Sequence, residues 1–127
     1  MLFNNLSKFV SHLKNGYLRR KLFVVVPSSV FLLRVLKLMY LAGYISGFQK
    51  TKYLVIVYLK YYNGVPVFSN ICSFYNKNNK YLFVSYRMLC KAIGFKSFVL
   101  ISTSKGILTN KDCILLRIGG KVLLEIN

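Results

Sequence analysis

A run of three adjacent hydroxyl side chains, Ser102-Thr103-Ser104, followed by Lys105-Gly106, is the segment of this chain best suited to chemistry. Ser and Thr compete for local backbone hydrogen bonds and Gly permits a positive φ, so the run predicts a shaped polar loop. Apolar residues at 98–101 and 107–108 indicate that strands present this loop. Because a hydroxyl both donates and accepts hydrogen bonds, the loop suits either a nucleophile or a reader of another polar molecule.

The catalytic alternative lacks its supporting residues. The sequence has no Gly-x-Ser-x-Gly elbow, and His12, its one histidine, precedes the run by 90 residues. Asp112 and Glu125 are the only carboxylates, and the order Lys105-Gly106 does not fit a phosphate-binding P-loop. We therefore predict no enzyme activity, no cofactor and no small-molecule substrate.

The charge balance points to a polyanionic partner. Nineteen Lys and Arg face two Asp and Glu, which gives a net charge of +17. The basic residues are spread from Lys8 to Lys121, so the charge belongs to the folded body and not to a tail. In a chain this basic, RNA is the natural ligand.

A membrane partner is the alternative, because 55% of the residues are hydrophobic. The uncharged apolar run at residues 22–33 has 12 residues and is broken by Pro27, whereas a spanning helix needs about 20. We predict no transmembrane segment. Basic residues between Phe, Leu and Tyr in the first two predicted helices leave a peripheral membrane-associated basic protein as the alternative function.

The three cysteines do not suggest a metal site or a disulfide framework. Cys72, Cys90 and Cys113 are odd in number, far apart and without a Cys-x-x-Cys pair. They are predicted to be small buried hydrophobes.

The first half of the chain reads as a mixture of helices and strands. Apolar residues from Phe3 to Tyr17 recur at helical spacing, with Asn15-Gly16 as the expected stop. A targeting peptide is the alternative interpretation of this segment. The elements predicted next are a buried strand at 22–26, a helix at 30–41 capped by Ser28-Ser29, a short strand at 44–45 and a strand at 53–59. An Asn63-Gly64 hairpin then leads into a strand at 65–71.

A polar, basic loop at 76–80 predicts a boundary between two halves, residues 1–75 and 76–127. The second half reads as a strand at 82–84, a helix at 85–93, a strand at 98–101, a helix capped by Thr109 that ends near Arg117, and a strand at 121–126. The predicted fold class is α+β.

Several spaced motifs together resemble the family of small-subunit ribosomal protein eight, of the bacterial and organellar type. They are, in order, Asn15-Gly16, Pro27-Ser28-Ser29, Gly43-Tyr44-Ile45, the run from Ser102 to Gly106, Thr109 and Gly119-Gly120. The hydroxyl run alone is a weak signal. Its separation of 12 residues from the glycine pair, together with the N-terminal pattern, makes the resemblance specific from about residue 4 onwards.

The resemblance implies two small packed α/β halves and a structural role in the small ribosomal subunit. The C-terminal half would bind the central domain of the small-subunit rRNA and help its assembly, and neighbouring small-subunit ribosomal proteins would be partners. Ser102, Thr103 and Ser104 would contact an irregular RNA helix, while Lys105 and Gly106 shape the approach. The remaining candidate RNA-binding residues are Gly119, Gly120, Lys121, Lys91, Asn15, Arg19, Arg20, Lys21, Ser28 and Ser29.

The chain departs from the family pattern at a few positions. Lys121 stands where the family has an acid, and Asn78-Asn79 where it usually has Pro-Gly; Asn4 and Lys8 replace further acids. A residue bias typical of AT-rich codons, with no recognisable presequence, suggests a product made inside an organelle. We expect a mitochondrial ribosome, with a plastid as the second choice and an AT-rich bacterium as the remaining alternative.

Overall fold

The chain folds into helices and antiparallel sheets, which confirms the α+β class predicted from the sequence. The computed structural model describes residues 2–68, 70–73, 83–91 and 98–127. It contains two units, Met1–Ser69 and Asn70–Asn127, each with its own sheet and core.

The first unit places two helices against a three-stranded antiparallel sheet of order β1-β3-β2, with a small hairpin beside it. Its elements are α1 (Leu2–Leu18), β1 (Phe23–Pro27), α2 (Val30–Leu41), β2 (Ile45–Lys50), β3 (Leu54–Leu59), β4 (Tyr61–Tyr62) and β5 (Val65–Pro66). Ser29 caps α2 through its side-chain oxygen, which accepts from the backbone N–H of Leu32 at 3.1 Å, as the sequence predicts.

The apolar stripes of α1 and α2 form the core of this unit. Leu6, Phe9 and Leu13 of α1 are buried, as are four residues of α2: Leu32, Val35, Leu36 and Met39. They join the buried Val24, Val26, Val55 and Val57 of the sheet. The stripes that motivated the peripheral membrane alternative are therefore packed inside the protein.

The expected stop of the first helix at Asn15-Gly16 is wrong, because α1 continues through Gly16 to Leu18. A Cβ at Gly16 would lie 2.6 Å from Cγ1 of Val24 and 3.1 Å from Cδ1 of Leu59. Glycine is therefore placed here for the close approach of the helix to the sheet, a reason that local sequence does not reveal.

Arg20 provides the actual end of α1. The backbone N–H of Lys21 donates to the carbonyl of Gly16 at 2.9 Å and that of Arg20 to the carbonyl of Tyr17 at 3.2 Å, with Arg20 at φ 54°. This is the Schellman pattern with arginine in the position where glycine is usual.

The second unit has a sheet of order β6-β10-β8-β9, with β7 also paired to β10. Its elements are β6 (Ile71–Ser73), β7 (Phe83–Val84), α3 (Tyr86–Lys91), β8 (Phe98–Thr103), β9 (Gly106–Thr109), α4 (Asn110–Leu116) and β10 (Gly120–Ile126). The predicted loop at 76–80, the Asn78-Asn79 turn and the end of the helix predicted to reach residue 93 lie outside the described residues.

The chain divides into its two units after residue 69, whereas the sequence placed the division between residues 75 and 76. The reason is β6, which pairs with β10 from Ile71↔Ile126 to Ser73↔Leu124 and so lies in the second sheet. The single strand expected at 65–71 is accordingly two separate strands, β5 and β6.

One hydrophobic cluster of the second unit joins its helices to its sheet, and Leu100, Leu124 and Ile126 of the same strands are fully buried as well. Buried Leu89 of α3 and Cys113 of α4 pack with Val99, Ile101 and Val122 of the sheet. Of the three cysteines only Cys113 is buried, whereas Cys72 and Cys90 are half-buried, so the prediction of three buried cysteines is wrong for those two.

Candidate nucleic-acid interface

The hydroxyl run forms the tip of a β-hairpin. β8 continues through Ser102 and Thr103, so only Ser104 and Lys105 make the turn, and Gly106 already belongs to β9. The sequence predicted a loop over all five residues with strands at 98–101 and 107–108, and the structure extends both strands into the run, because hydroxyl side chains indicate turns more strongly than strands. Gly106 has φ +107°, a conformation that closes the hairpin and that favours glycine.

Thr103 fixes the shape of the turn. Its hydroxyl donates to the carbonyl of Gly106 at 2.8 Å and accepts from the backbone N–H of Lys105 at 3.2 Å. Both hydrogen bonds that shape the turn thus use Thr103, and they leave the hydroxyls of Ser102 and Ser104 uninvolved. Ser104 and Lys105 are exposed, and Ser102 is half-buried.

A row across three strands extends this site. Ser102 lies opposite Ile107 of β9 on one side and opposite Lys121 of β10 on the other. Residues directly opposite one another in an antiparallel pair share a face of the sheet. The structure therefore brings the exposed Lys121 beside Ser102, on the same face and two strands from Ile107.

Gly119 and Gly120 allow β10 to reach its neighbours. A Cβ on Gly120 would overlap the carbonyl oxygen of Ser102 and lie 2.9 Å from the Ser102 carbonyl carbon. A Cβ on Gly119 would overlap the carbonyl oxygen of Val84 and lie 2.9 Å from Cα of Ser85. The glycine pair acts on the site through the backbone, because it sets how closely Lys121 and Ser102 approach.

The helix that follows the hairpin is anchored at its start by another hydroxyl. Thr109 is the N-cap of α4, and its side-chain oxygen accepts from the backbone N–H of Asp112 at 3.2 Å, as the sequence predicts.

Burial and the nearby carboxylate of Asp112 raise the pKa of the Cys113 thiol above its ordinary value. Lys91, the remaining candidate of this unit, is exposed in the last turn of α3.

The first unit gathers most of its candidates around two neighbouring hollows. A hollow of about 400 Å³ is lined by His12, Asn15, Gly16, Arg19, Lys21, Phe23, Val24 and Val25. A smaller one of about 100 Å³ is lined by Lys8, Phe9, His12, Val26, Pro27, Ser28, Ser29 and Leu32. His12 belongs to both, so the two hollows adjoin along α1, and each combines basic or polar side chains with apolar ones.

Two of the predicted residues have structural duties. Arg20 donates from Nη1 to the carbonyl oxygen of Gly64, which ties the end of α1 to the β4–β5 hairpin. The Ser29 hydroxyl caps α2, as described above. Arg19 and Lys21, which line the larger hollow, are therefore better placed to meet an external anion than Arg20 is.

Lys8 and His12 are the residues of this surface that the sequence analysis did not select. Together with Asn15 and Arg19 they recur at steps of four, three and four residues along α1, which places them on one face of the helix. The same periodicity that revealed the apolar stripe could have revealed this polar one.

Other kinds of site find no support in the part of the chain that the structure describes. There, no group of three His, Cys, Asp or Glu side chains is arranged to hold a metal ion. No helix among those residues has the length and apolar character needed to cross a bilayer.

Comparison with known proteins places the chain in a family. Residues 4–127 match the family described as Ribosomal protein S8. The chain is 37% identical over 125 residues to the small ribosomal subunit protein uS8m of Acanthamoeba castellanii, covering 96% of this chain and 98% of that protein. It is 33% identical over 123 residues to the uS8 protein of Ehrlichia canis, covering 93% and 92% of the two chains. Because the family match extends over nearly the whole sequence, the chain belongs to the ribosomal protein S8 family.

Proposed function

We propose that this protein is a structural component of the small subunit of the mitochondrial ribosome, and that the β8–β9 hairpin reads the central domain of the small-subunit rRNA. Membership of the family and the full-length similarity to a mitochondrial relative support the role and the location. The observation that carries the RNA-reading part is the exposed turn at Ser104-Lys105, held in shape by Thr103 and placed next to Lys121.

The chemistry of the hairpin suits irregular RNA. Regular A-form RNA hides its base edges in a deep groove, so proteins read the shallow groove, the 2′-hydroxyls and unstacked elements. The Ser102 and Ser104 hydroxyls are short, and each can donate and accept there. Thr103 serves as a positioning residue, because its hydroxyl is engaged within the hairpin.

The basic residues supply affinity and register. Contacts from Lys and Arg to phosphates are independent of sequence and hold the protein in place while the hairpin selects. Lys105 and Lys121 do this beside the hairpin. In the first unit, Asn15, Arg19, Lys21, Ser28 and Ser29, joined by Lys8 and His12, form a second RNA-facing surface.

The protein acts by binding and not by catalysis. Neither hollow of the first unit contains a carboxylate, and the two hydrogen bonds of the hairpin turn involve no general base. Its further partners are neighbouring proteins of the same subunit. Purified protein is expected to release no product from ester or nucleotide substrates in a spectrophotometric assay.

Alanine substitutions in the hairpin test the reading role. Ser104→Ala should weaken binding to a central-domain rRNA fragment by about 2- to 12-fold, since one hydrogen bond contributes ~0.5–1.5 kcal/mol. Thr103→Ala should weaken it as well, through loss of the turn, whereas Thr103→Ser keeps both hydrogen bonds and serves as the matched control. Filter binding with thermal unfolding in parallel measures both effects. An affinity of Ser104→Ala equal to that of the unsubstituted protein would contradict the proposal.

The salt dependence of the same binding tests the phosphate contacts. Lys105→Ala should reduce the slope of log K against log salt by ~0.7–0.9. Lys37→Ala removes another exposed lysine, from α2, and should leave the slope unchanged. If Lys105→Ala and Lys37→Ala had the same salt slope, Lys105 would not be a phosphate contact.

A further inference from the structure

The sheet of the first unit has an apolar face on its outer side as well as on its core side. The sequence predicted a buried strand at 22–26, but β1 alternates, with Val24 and Val26 buried and its other side chains exposed. We define the outer sheet face by six residues of β1 and β3 that lie opposite one another in the register: Phe23 and Tyr58, Val25 and Ile56, Pro27 and Leu54.

The outer sheet face is substantially open to solvent. Phe23 is 48% exposed, Val25 42%, Leu54 45% and Tyr58 38%. An antiparallel sheet with one solvated face normally places polar side chains there, and contiguous apolar patches on a protein surface mark interaction sites. The rings of Phe23 and Tyr58 already pack across the strands with their centroids 6.4 Å apart. This face therefore has the composition of a surface that becomes covered.

The charge around the face restricts what covers it. The first unit carries ten Lys and Arg and no Asp or Glu in its sequence. Lys50 and Lys52 lie at the end of β2 and in the turn into β3, next to Leu54. A second copy of this chain would bring two wholly basic units together, so self-association is opposed by charge. The complementary partner is apolar in its centre and acidic at its rim.

The side chains of the face favour protein over RNA. Val25, Ile56 and Leu54 are aliphatic, and with Pro27 they offer neither a hydrogen-bond donor nor a flat ring on which a base could stack. The Tyr58 hydroxyl donates to Oε1 of Gln49 at 3.3 Å, within the sheet. Phe23 and Tyr58 are flat rings, but they lie at one end of the face and already pack against each other. The four aliphatic side chains make the rest of the face better suited to bury another protein than to hold nucleotides.

We propose that the outer sheet face is the docking surface for a protein segment that presents apolar side chains flanked by Asp or Glu. The inference rests on the proposed function only in placing this partner within the same ribosomal subunit. It assigns to the first unit a protein-binding surface on the sheet, which borders the two hollows beside α1 because Phe23, Val25 and Pro27 also line them.

Carbodiimide cross-linking of isolated mitochondrial small subunits that contain this chain tests the acidic rim. The reagent joins a lysine amine directly to a carboxylate in contact with it. Lys50 or Lys52 should be joined to an Asp or Glu of another polypeptide whose adjacent residues are apolar. The exposed Lys37, on α2, is the internal control and should give no such product. The proposal would be overturned if Lys50 and Lys52 were joined to RNA, or to Asp112 or Glu125 of a second copy. It would also be overturned if neither lysine gave an adduct.

The double variant Leu54→Thr with Ile56→Thr tests the apolar face at two positions that line neither hollow, and threonine is a β-branched residue that suits a strand. In subunits that incorporate it, the yield of the Lys50 or Lys52 cross-link should fall about tenfold. Thermal unfolding of the free variant and its affinity for the central-domain rRNA fragment should match those of the unsubstituted chain. An unchanged cross-link in a folded variant would overturn the docking site. If the unsubstituted chain did not bind the rRNA fragment, that result would count against the proposed function. It would not affect the cross-linking result.

Discussion

The two units use glycine for the same purpose but against different neighbours. In the first unit Gly16 makes room for the tips of two side chains, Val24 and Leu59. In the second unit Gly119 and Gly120 make room for backbone atoms of β7 and β8 and of the residue after β7. Side chains can move to another rotamer, whereas a paired strand cannot move without losing its hydrogen bonds. The first unit should therefore tolerate change at its glycine contact better than the second.

The largest expected effect is that of Gly120→Ala. Its Cβ would overlap the Ser102 carbonyl, so β10 must separate from β8, and we expect a loss of about 3 kcal/mol or more in the free energy of unfolding. Urea denaturation measures the loss. Gly47→Ala is the control within β2, because a Cβ there meets nothing within 4 Å, and it should be neutral or slightly stabilising. A Gly120→Ala protein as stable as Gly47→Ala would remove the distinction between the units.

Tyr17→Phe should have an intermediate effect, confined to the first unit. The Tyr17 hydroxyl donates to the carbonyl of Tyr44 at 3.1 Å and accepts from the backbone N–H of Lys60 at 3.2 Å. It thus links the end of α1 to one end of the β2–β3 pair, where Ile45 lies opposite Leu59. Loss of these bonds should cost about 1–2 kcal/mol at neutral pH. Urea denaturation of the variant should give this loss without affecting binding of the rRNA fragment.

The same variant has a pH signature. Burial raises the pKa of Tyr17 above its ordinary value of 10.0, a shift that the nearby Tyr61 adds to and the Lys60 hydrogen bond opposes. The folded state then keeps the Tyr17 proton at pH values where the unfolded chain releases it, so this contribution to stability is lost as the pH rises above about 10. The stability gap between the two proteins should therefore narrow in alkaline buffer. If the difference in stability between the two proteins widened in alkaline buffer, the raised pKa of Tyr17 would be contradicted.

The smallest effect is expected for Gly16→Ala. The new Cβ would lie 2.6 Å from Cγ1 of Val24, which can be relieved by a side-chain shift, and alanine favours the helix by about 1 kcal/mol. We expect a net loss of about 1 kcal/mol by urea denaturation. A loss as large as that of Gly120→Ala would show that the helix contact is as rigid as the strand contact.

Features set by neighbouring residues were predictable from the sequence, and features set by distant ones were not. Asn63-Gly64 closes the β4–β5 hairpin with both residues at positive φ, and Ser29 and Thr109 cap the helices expected of them. Gly16, in contrast, has the local signature of a helix stop, and its actual role depends on β1 and β3. The exposure of Val25 was missed for the same reason, because an uninterrupted apolar run does not reveal that one face of its strand lacks a cover.

The candidate site was predictable to the same degree. The hydroxyl run located the hairpin, but the division of labour between Thr103 and Ser104 required the hydrogen bonds of the turn. Lys121 was placed near the hydroxyl run only through the family resemblance, and the register explains that nearness in physical terms. Arg20 was indistinguishable from Arg19 in the sequence, although the structure directs it to Gly64.

The position of β10 has a consequence for biosynthesis. It is the strand to which β6, β7 and β8 all pair, yet it follows all three in the chain. During translation these strands leave the exit tunnel before their common partner, at about 5–20 residues per second. The first unit, whose strands all precede β6, can complete its sheet while the second is still being made. The β8–β9 hairpin can close early, but the row that sets Lys121 beside Ser102 forms only once β10 has emerged.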